Sequence, residues 1–451
     1  MECFPDLNKY DHIHFIGIGG VSMSSLAVII SEKGKTVSGS DNTESAVTQM
    51  LKDKGIKIFI GHNGDNISGA QLIVYTAAIK DSNPELVRAK ETGIPAIERA
   101  VLLGMLMSLY PHSIAVSGTH GKSTTTSMLS SIFLDSQYDP TILIGAHFDR
   151  INANFKVGTS EYAVYEACEY VNSFHHFYPD TAIILNIDAD HLDFFKDIDD
   201  IRNSFKKFIG NVNNDGRVII NGDDKNCRHL ADGCGRKVIT FGLEKHNDCY
   251  AQNIRFESGF PVFDVIFDGK RIENVRLSVL GEHNILNALA SVCCALSYGL
   301  DTSSVTGGLL NFKGADRRFQ IVKSVNGADI ADDYAHHPTE ISATLRAAKS
   351  AGYKKITVIF QPHTYTRAKM LQDDFARALS AADEVILTDI YSAREINTIG
   401  ASVMDIVNKI PGAKYISSRN DIADYIRSNA QPSEVYILMG AGDINKTAEL
   451  F

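Results

Sequence analysis

The chain has 451 residues, enough for two or three domains, and 44% of them are hydrophobic, enough for sizeable cores. Its 44 basic and 54 acidic residues leave a net charge of −10, which argues against nucleic acid or an anionic membrane surface as the main partner. No run approaches the ~18 apolar residues of a spanning helix. The start lacks the basic-then-apolar pattern of a signal peptide, and the seven cysteines show no repeated Cys-x-x-Cys. The expectation is a cytoplasmic protein without membrane insertion, with Cys293 and Cys294 as buried thiols in a reducing compartment.

Residues 12–20 read as a buried strand entering a glycine turn, Gly17-Ile18-Gly19-Gly20, followed by a helix from Val21 to Ile30. The turn is an imperfect dinucleotide fingerprint, because Ser22 takes the place of its third glycine. What it supports is narrower: a helix N-terminus facing a pyrophosphate. A second strand, 35–39, ends in Ser40-Asp41, where an acidic residue can bond a ribose hydroxyl or simply be a solvated turn residue. Residues 56–60 and 72–75 are further strands. Thr76-Ala77-Ala78 follow the latter, at the edge where open α/β sheets collect ligands. This first domain spans 1–110.

The stretch at 113–134 organises the rest. An apolar β-favouring run, 113–117, leads into Gly118-Thr119-His120-Gly121-Lys122-Ser123. Met128, Leu129, Ile132 and Phe133 then share one helix face. Gly121-Lys122-Ser123 is the core of a phosphate-binding loop, in which backbone N–H groups wrap a phosphate, the lysine reaches the outer phosphates and the hydroxyl binds Mg²⁺. The first glycine of the full motif falls at Val116, so the match is partial. Strands at 162–165 and 181–187 end in Glu166 and in Asp188-Ala189-Asp190-His191. In a parallel sheet, Ser123, Glu166 and His191 meet at one edge, as ligands for a phosphate-bound Mg²⁺.

From Arg217 to Leu280 short β runs and a turn at Asp268-Gly269 read as an added antiparallel sheet. Gly281-Glu282-His283-Asn284 opens a long helix on which Asn284 and Asn287 share a face, fit to grip a purine or to cap the helix. The central domain spans 111–313. The third, 314–451, alternates strands and helices and carries polar clusters at four strand ends: Asp332 to Pro338, Gln361 to Arg367, Asp389 to Glu395 and Gly440 to Asp443.

Taken in order, Gly17 to Gly20, Gly118 to Thr126, Asn186 to His191, Gly281 to Asn284, Asp332 to Pro338, Gln361-Pro362-His363 and Met439 to Asp443 resemble the Mur ligase family over nearly the whole chain. The resemblance implies an α/β protein of three domains. These are an N-terminal Rossmann-like UDP-sugar-binding domain, a central P-loop ATPase-type domain and a C-terminal Rossmann-like domain for the amino acid. It implies ATP-dependent amide formation between the lactyl carboxylate of UDP-N-acetylmuramate and L-alanine, through an acyl phosphate, in peptidoglycan precursor synthesis. It further implies Mg²⁺ as cofactor, these small molecules as partners, and a monomer or homodimer.

On the same resemblance, Gly17, Gly19, Gly20, Ser40, Asp41, Thr76 and Ala77 hold the UDP-sugar. Gly118, Thr119, His120, Gly121, Lys122, Ser123, Thr124, Asn284, Asn287, Arg318 and Asp333 hold ATP. Ser123, Glu166 and His191 hold the metal, and Tyr334, His336 and Arg367 face the amino acid. Lys122, His191, Arg318 and His336 carry the chemistry, with His336 as candidate base because an imidazole titrates near pH ~6.5. Thr364 stands where the family commonly has arginine, which leaves more of the carboxylate recognition to Arg367. Three alternatives stay open: a muropeptide-recycling or other Mur-type ligase, a nucleotide switch without ligase activity, and an NAD oxidoreductase built on the first domain.

Overall fold

The computed structural model describes residues 6–451 except Ala77 and Arg394. The expected ligand contact at Ala77 thus lies outside the described residues.

Three sheets follow one another along the chain. The first is parallel throughout: β1 (His12–Ile16), β2 (Thr36–Asp41), β3 (Lys57–Ile60), β4 (Leu72–Tyr75) and β5 (Ala96–Glu98), in spatial order β3-β2-β1-β4-β5. Strand order reverses beside β1, so the glycine turn that follows β1 opens at the switch point, where such sheets bind ligands. Ile13, Phe15 and Ile16 are fully buried in β1, and so is His14 between them, as befits a strand covered on both faces.

The second sheet has ten strands. They are β6 (His112–Ser117), β7 (Thr141–Phe148), β8 (Ala153–Lys156), β9 (Tyr162–Glu166), β10 (Thr181–Ile184), β11 (Arg217–Asn221), β12 (Lys237–Gly242), β13 (Cys249–Glu257), β14 (Phe260–Phe267) and β15 (Lys270–Arg276). Their order is β15-β14-β13-β12-β11-β10-β6-β9-β7-β8. The antiparallel part is smaller than its sequence suggests. β11 and β12 are parallel members of the main sheet, and only β13–β15 at one edge and β7–β8 at the other run antiparallel. The helix Lys225–Ala231 between β11 and β12 supplies the crossover that a parallel pair requires.

The third sheet comprises β16 (Gln320–Val325), β17 (Ala328–Asp333), β18 (Lys355–Phe360), β19 (Glu384–Leu387), β20 (Lys414–Tyr415) and β21 (Glu434–Met439), in order β16-β17-β21-β18-β19-β20. Only the edge strand β16 is antiparallel.

Register aligns the working edges. Ser117 lies beside Ile184, and Val116 beside Glu166, so β6, β9 and β10 end together. The loop 118–121, Glu166 and residues 186–191 therefore leave the sheet at one edge. The helix Lys122–Asp135 begins there with Gly121 as its N-cap.

Candidate active site

The loop between β6 and its helix needs glycine for two reasons. Gly118 (φ +140°) and Gly121 (φ +85°) occupy backbone regions that L side chains rarely adopt. A Cβ at Gly118 would also meet Leu185 at 2.9 Å, and one at Gly121 would meet Asn287 Oδ1 at 2.7 Å. The loop is tied to the end of β10. His120 N donates to Asn186 Oδ1 (2.8 Å), Asn186 Nδ2 donates back to the His120 carbonyl (3.0 Å), and Asp188 N donates to Thr119 Oγ1 (2.9 Å).

Lys122 folds back over this loop. Its Nζ donates to the carbonyls of Gly118 (2.6 Å) and Thr119 (3.1 Å) and to both oxygens of Glu169 (3.1 and 2.9 Å). Burial opposes charge on this ammonium, but the Glu169 carboxylate outweighs it and holds the pKa above the usual lysine range. His191 Nε2 lies 3.7 Å from the same Glu169, and its ring packs on Tyr170 at 4.5 Å. Glu166 accepts from Gly145 N (2.6 Å) and from the Ser123 hydroxyl, and burial pushes its pKa up. Ser123 and Glu166 therefore form the oxygen-donor pair that suits a hard cation such as Mg²⁺, while His191 is anchored by Glu169 and Tyr170.

A second cluster joins the central and third sheets. His120 Nε2 meets Asp188 Oδ2 at 3.2 Å, and its Nδ1 meets Glu340 Oε1 at 3.4 Å. Burial works against the charge, yet the two carboxylates lift the His120 pKa to about 9. Asp188 also accepts from Thr339 Oγ1 (2.7 Å). His120, Asp188 and His337 place ligand atoms within 4.8 Å of one another, a spacing that could hold a metal ion. An imidazolium between two carboxylates already accounts for this geometry, and His337 Nδ1 accepts from Thr339 N (3.4 Å) as the helix N-cap.

Between these elements lies a cavity of about 900 Å³. Its walls include Gly121 and Thr124 from the loop, Asn284 and Asn287 from the helix His283–Ser297, and Arg318 and Asp333 from the third unit. His120 also faces it, whereas Lys122, Ser123, Glu166 and His191 do not line it. Asn287 accepts from Thr125 Oγ1 (3.2 Å) and donates to Asn284 Oδ1 (2.9 Å), and Asn284 donates to the Leu280 carbonyl (2.7 Å). The asparagine face thus buttresses the phosphate loop from across the cavity. Asp333 accepts from Phe319 N (2.9 Å), Ala335 N (2.7 Å) and Thr344 Oγ1 (3.2 Å), and its pKa rises to about 6 through burial. It pins the turn at 317–319, where Arg317 and Phe319 both have positive φ, and so aims Arg318. Arg318 reaches Glu340 at 3.6 Å and the face of Tyr334 at 5.3 Å.

His336 Nδ1 lies 3.0 Å from the Tyr334 carbonyl and 3.3 Å from Glu340 Oε2. The carbonyl assigns the proton to Nδ1 and leaves Nε2 as the acceptor. Burial lowers the His336 pKa to about 4, despite the opposing Glu340 charge, so the ring is neutral at neutral pH. Arg367 donates from Nε (3.2 Å) and Nη2 (2.8 Å) to Asp190 Oδ1 and lies 3.3 Å from His363 Nδ1 through Nη1.

In the first sheet, Gly19 N donates to Asp41 Oδ2 (2.9 Å), and the amides of Gly17 (2.8 Å) and Ile18 (2.9 Å) donate to the Ser40 carbonyl. Gly20 caps the helix Val21–Glu32 with no side chain of its own in the way. Thr76 follows β4 at the same edge. The Ser40 hydroxyl is fully buried, donates to Glu85 (2.7 Å) and lies 3.0 Å from His62, so it supports the turn from beneath. Alternation along β2 turns adjacent residues to opposite faces, which separates Ser40 from Asp41.

Local sequence does not single out Glu169, Asp188, Asp190 or Glu340 for these contacts: Asp188 and Asp190 stand at a strand end and Glu340 four residues after His336, but their partners lie far along the chain.

Family models match nearly the whole chain. A Mur ligase family catalytic-domain model matches residues 12–111, a Mur ligase middle-domain model residues 116–295, and a Mur ligase glutamate-ligase-domain model residues 317–442. A UDP-N-acetylmuramate–L-alanine ligase of Acetivibrio thermocellus is 49% identical over 99% of this chain and 96% of its own length. Among solved structures, a UDP-N-acetylmuramate–alanine ligase from Thermotoga maritima matches with a TM-score of 0.80 and 32% identity over 98% of both chains. A murein peptide ligase from Psychrobacter arcticus matches with a TM-score of 0.71 and 26% identity over 97% of both chains.

Proposed function

This chain belongs to the Mur ligase family, and we infer from that membership that it joins UDP-N-acetylmuramate to L-alanine with ATP, in peptidoglycan precursor synthesis. The full-length identity of 49% to a ligase of that name carries the assignment. The three-way convergence of phosphate loop, asparagine helix and Arg318 on one cavity supports the site.

The working division is 1–110 for the UDP-sugar, 111–313 for ATP and 314–451 for the amino acid. The lactyl carboxylate attacks the γ-phosphate and displaces ADP, leaving an acyl phosphate. Lys122 and Arg318 offset the charge that accumulates on the phosphoryl oxygens. To reach them, Lys122 exchanges part of its contact with Glu169 for phosphate. Ser123 and Glu166 would hold Mg²⁺, which supplies further neutralisation of the phosphates when bound. Asn284 and Asn287 line the nucleoside end. The amine of L-alanine then attacks the acyl carbon and inorganic phosphate leaves. His336, whose Nδ1 proton faces the Tyr334 carbonyl, is the candidate to take the amine proton on Nε2. Asp41 and the turn at Gly17, Gly19 and Gly20 receive the UDP moiety, with Thr76 at the same edge. On this reading we assign the protein to the cytoplasm. No helix among the described residues is long and apolar enough to cross a membrane.

The test is ADP release from ATP and UDP-N-acetylmuramate with and without L-alanine, together with identification of the amide product. Hydrolysis of ATP with no amide formed would overturn the reading.

A further inference from the structure

Asp190 and Arg367 come from different units of the fold and meet where the second and third units touch. One oxygen, Oδ1, takes three N–H donors: Arg367 Nη2 (2.8 Å), Arg367 Nε (3.2 Å) and His191 N (2.7 Å). The other oxygen, Oδ2, makes no hydrogen bond among the described residues and lies 3.9 Å from His191 Nε2. The Asp190 side chain is only 7% exposed, so this is a largely dehydrated anion with half of its accepting capacity unused. Arg367 likewise has donors to spare. A guanidinium carries five N–H groups, and its partners here are Asp190 and His363.

A crevice of about 20 Å³ runs beside the pair, bordered by Asp190, His191, Thr364, Thr366, Arg367 and Met370. It has room for one small polar group such as an ammonium, so the rest of a ligand would lie outside it. Opposite charges side by side match one class of ligand well. A free α-amino acid carries a carboxylate and an ammonium one carbon apart and is neutral overall. Bringing such a zwitterion against a neutral ion pair avoids leaving a buried charge unpaired.

We propose that Asp190 is an amino-acid-binding residue that receives the α-ammonium of the incoming amino acid on Oδ2, while Arg367 takes its α-carboxylate. The proposal rests on the ligase reading above and adds the second half of the amino-acid grip. It also explains selection against near relatives of the substrate. A hydroxy acid brings a carboxylate but no ammonium, and so meets Asp190 as a like charge.

The competing account is that the pair only clasps the third unit onto the second. Full-length enzyme carrying Asp190→Asn separates the two. The KM for L-alanine should rise about 30-fold, the scale of one charge-assisted hydrogen bond, with the KM values for ATP and UDP-N-acetylmuramate within about threefold of wild type. Acyl-phosphate formation without alanine, trapped by hydroxylamine as the hydroxamate, should proceed at the wild-type rate. A parallel fall in hydroxamate formation would make the pair a clasp and overturn the proposal, as would an unchanged KM for L-alanine.

A second measurement needs no variant. On the wild type, L-lactate should inhibit with a constant at least about 30-fold above the KM for L-alanine, and inhibition as tight as alanine binding would overturn the proposal. Absence of hydroxamate from the wild type would instead overturn the acyl-phosphate reading on which the proposal stands.

Discussion

Lys122 and Glu169 form a nearly buried ion pair, with the lysine Nζ 2.9 Å from one carboxylate oxygen and 3.1 Å from the other, and Glu169 only 2% exposed. This pair holds the lysine proposed to bind phosphate against the base of the loop. Its energetics are asymmetric. Breaking a buried pair by removing one partner is costly, because the remaining charge has no compensation.

Lys122→Ala should therefore lower ADP release about 10³-fold or more and destabilise the protein by about 3 kcal/mol. UDP-N-acetylmuramate binding, measured by calorimetry, should stay within a few-fold of wild type, because that ligand is proposed to sit on the first sheet. ADP release at a normal rate would remove Lys122 from the phosphoryl-transfer site.

Gly121→Ala tests the loop's backbone. The residue sits at φ +85°, and a Cβ would approach Asn287 Oδ1 to 2.7 Å. Left-handed backbone costs an L-residue about 1–2 kcal/mol, and the overlap would push Asn287 off Thr125. The expected outcome is a raised KM for ATP and a lower melting temperature. The KM for L-alanine should be unaffected.

Arg318 is aimed by the Asp333-pinned turn and has Glu340 and Tyr334 as neighbours. Arg318→Ala should lower kcat about 10²-fold, the scale for losing one preorganised donor to a developing charge. Asp333→Asn should produce a smaller fall, because it weakens only the support of the turn. Steady-state kinetics decides the order of the two effects, and the reverse order would place the chemistry on Asp333.

Stability should depend on pH in opposite senses on the two sides of neutrality. The His120 pKa is raised to about 9, so its stabilising contribution is complete below its unfolded value of about 6.5. That contribution is lost as pH rises through about 9 and amounts to at most about 3 kcal/mol. His283, His336 and His363 behave in reverse. Burial holds each down to about 4, so the unfolded chain binds their protons first and stability falls as pH drops from about 6.5 toward 4. Urea midpoints should be highest near pH ~7 and lower near ~5 and ~9. In His120→Gln the overall midpoint should fall, and the alkaline limb should flatten while the acid limb stays. An unchanged alkaline limb would dissociate His120 from the Asp188–Glu340 clasp.

Much of the site was legible because it is local. Gly118 to Ser123 lie within one turn, and their function depends on backbone N–H groups and a helix start that neighbouring residues dictate. The same holds for Gly17 to Gly20 and for Asn284 and Asn287, where spacing alone sets a shared face. Sheet membership was less legible. The apolar runs at 218–220 and 237–241 look alike whether a strand pairs parallel or antiparallel, and the choice is made by the connecting helix and by β10 alongside.

By itself the sequence determined the three α/β units, the phosphate loop and the families of residues at the strand ends, since these follow from periodicity, glycine placement and motif order. Only the tertiary structure decided which charges meet. Glu169 finds Lys122 across 47 positions, and Asp190 finds Arg367 across 177. Asp188 and Glu340 enclose His120, and Ser40 turns under its sheet to Glu85. A buried charge is tolerable only beside its partner, so these pairings depend on which elements dock, a property of packing that no local spacing encodes.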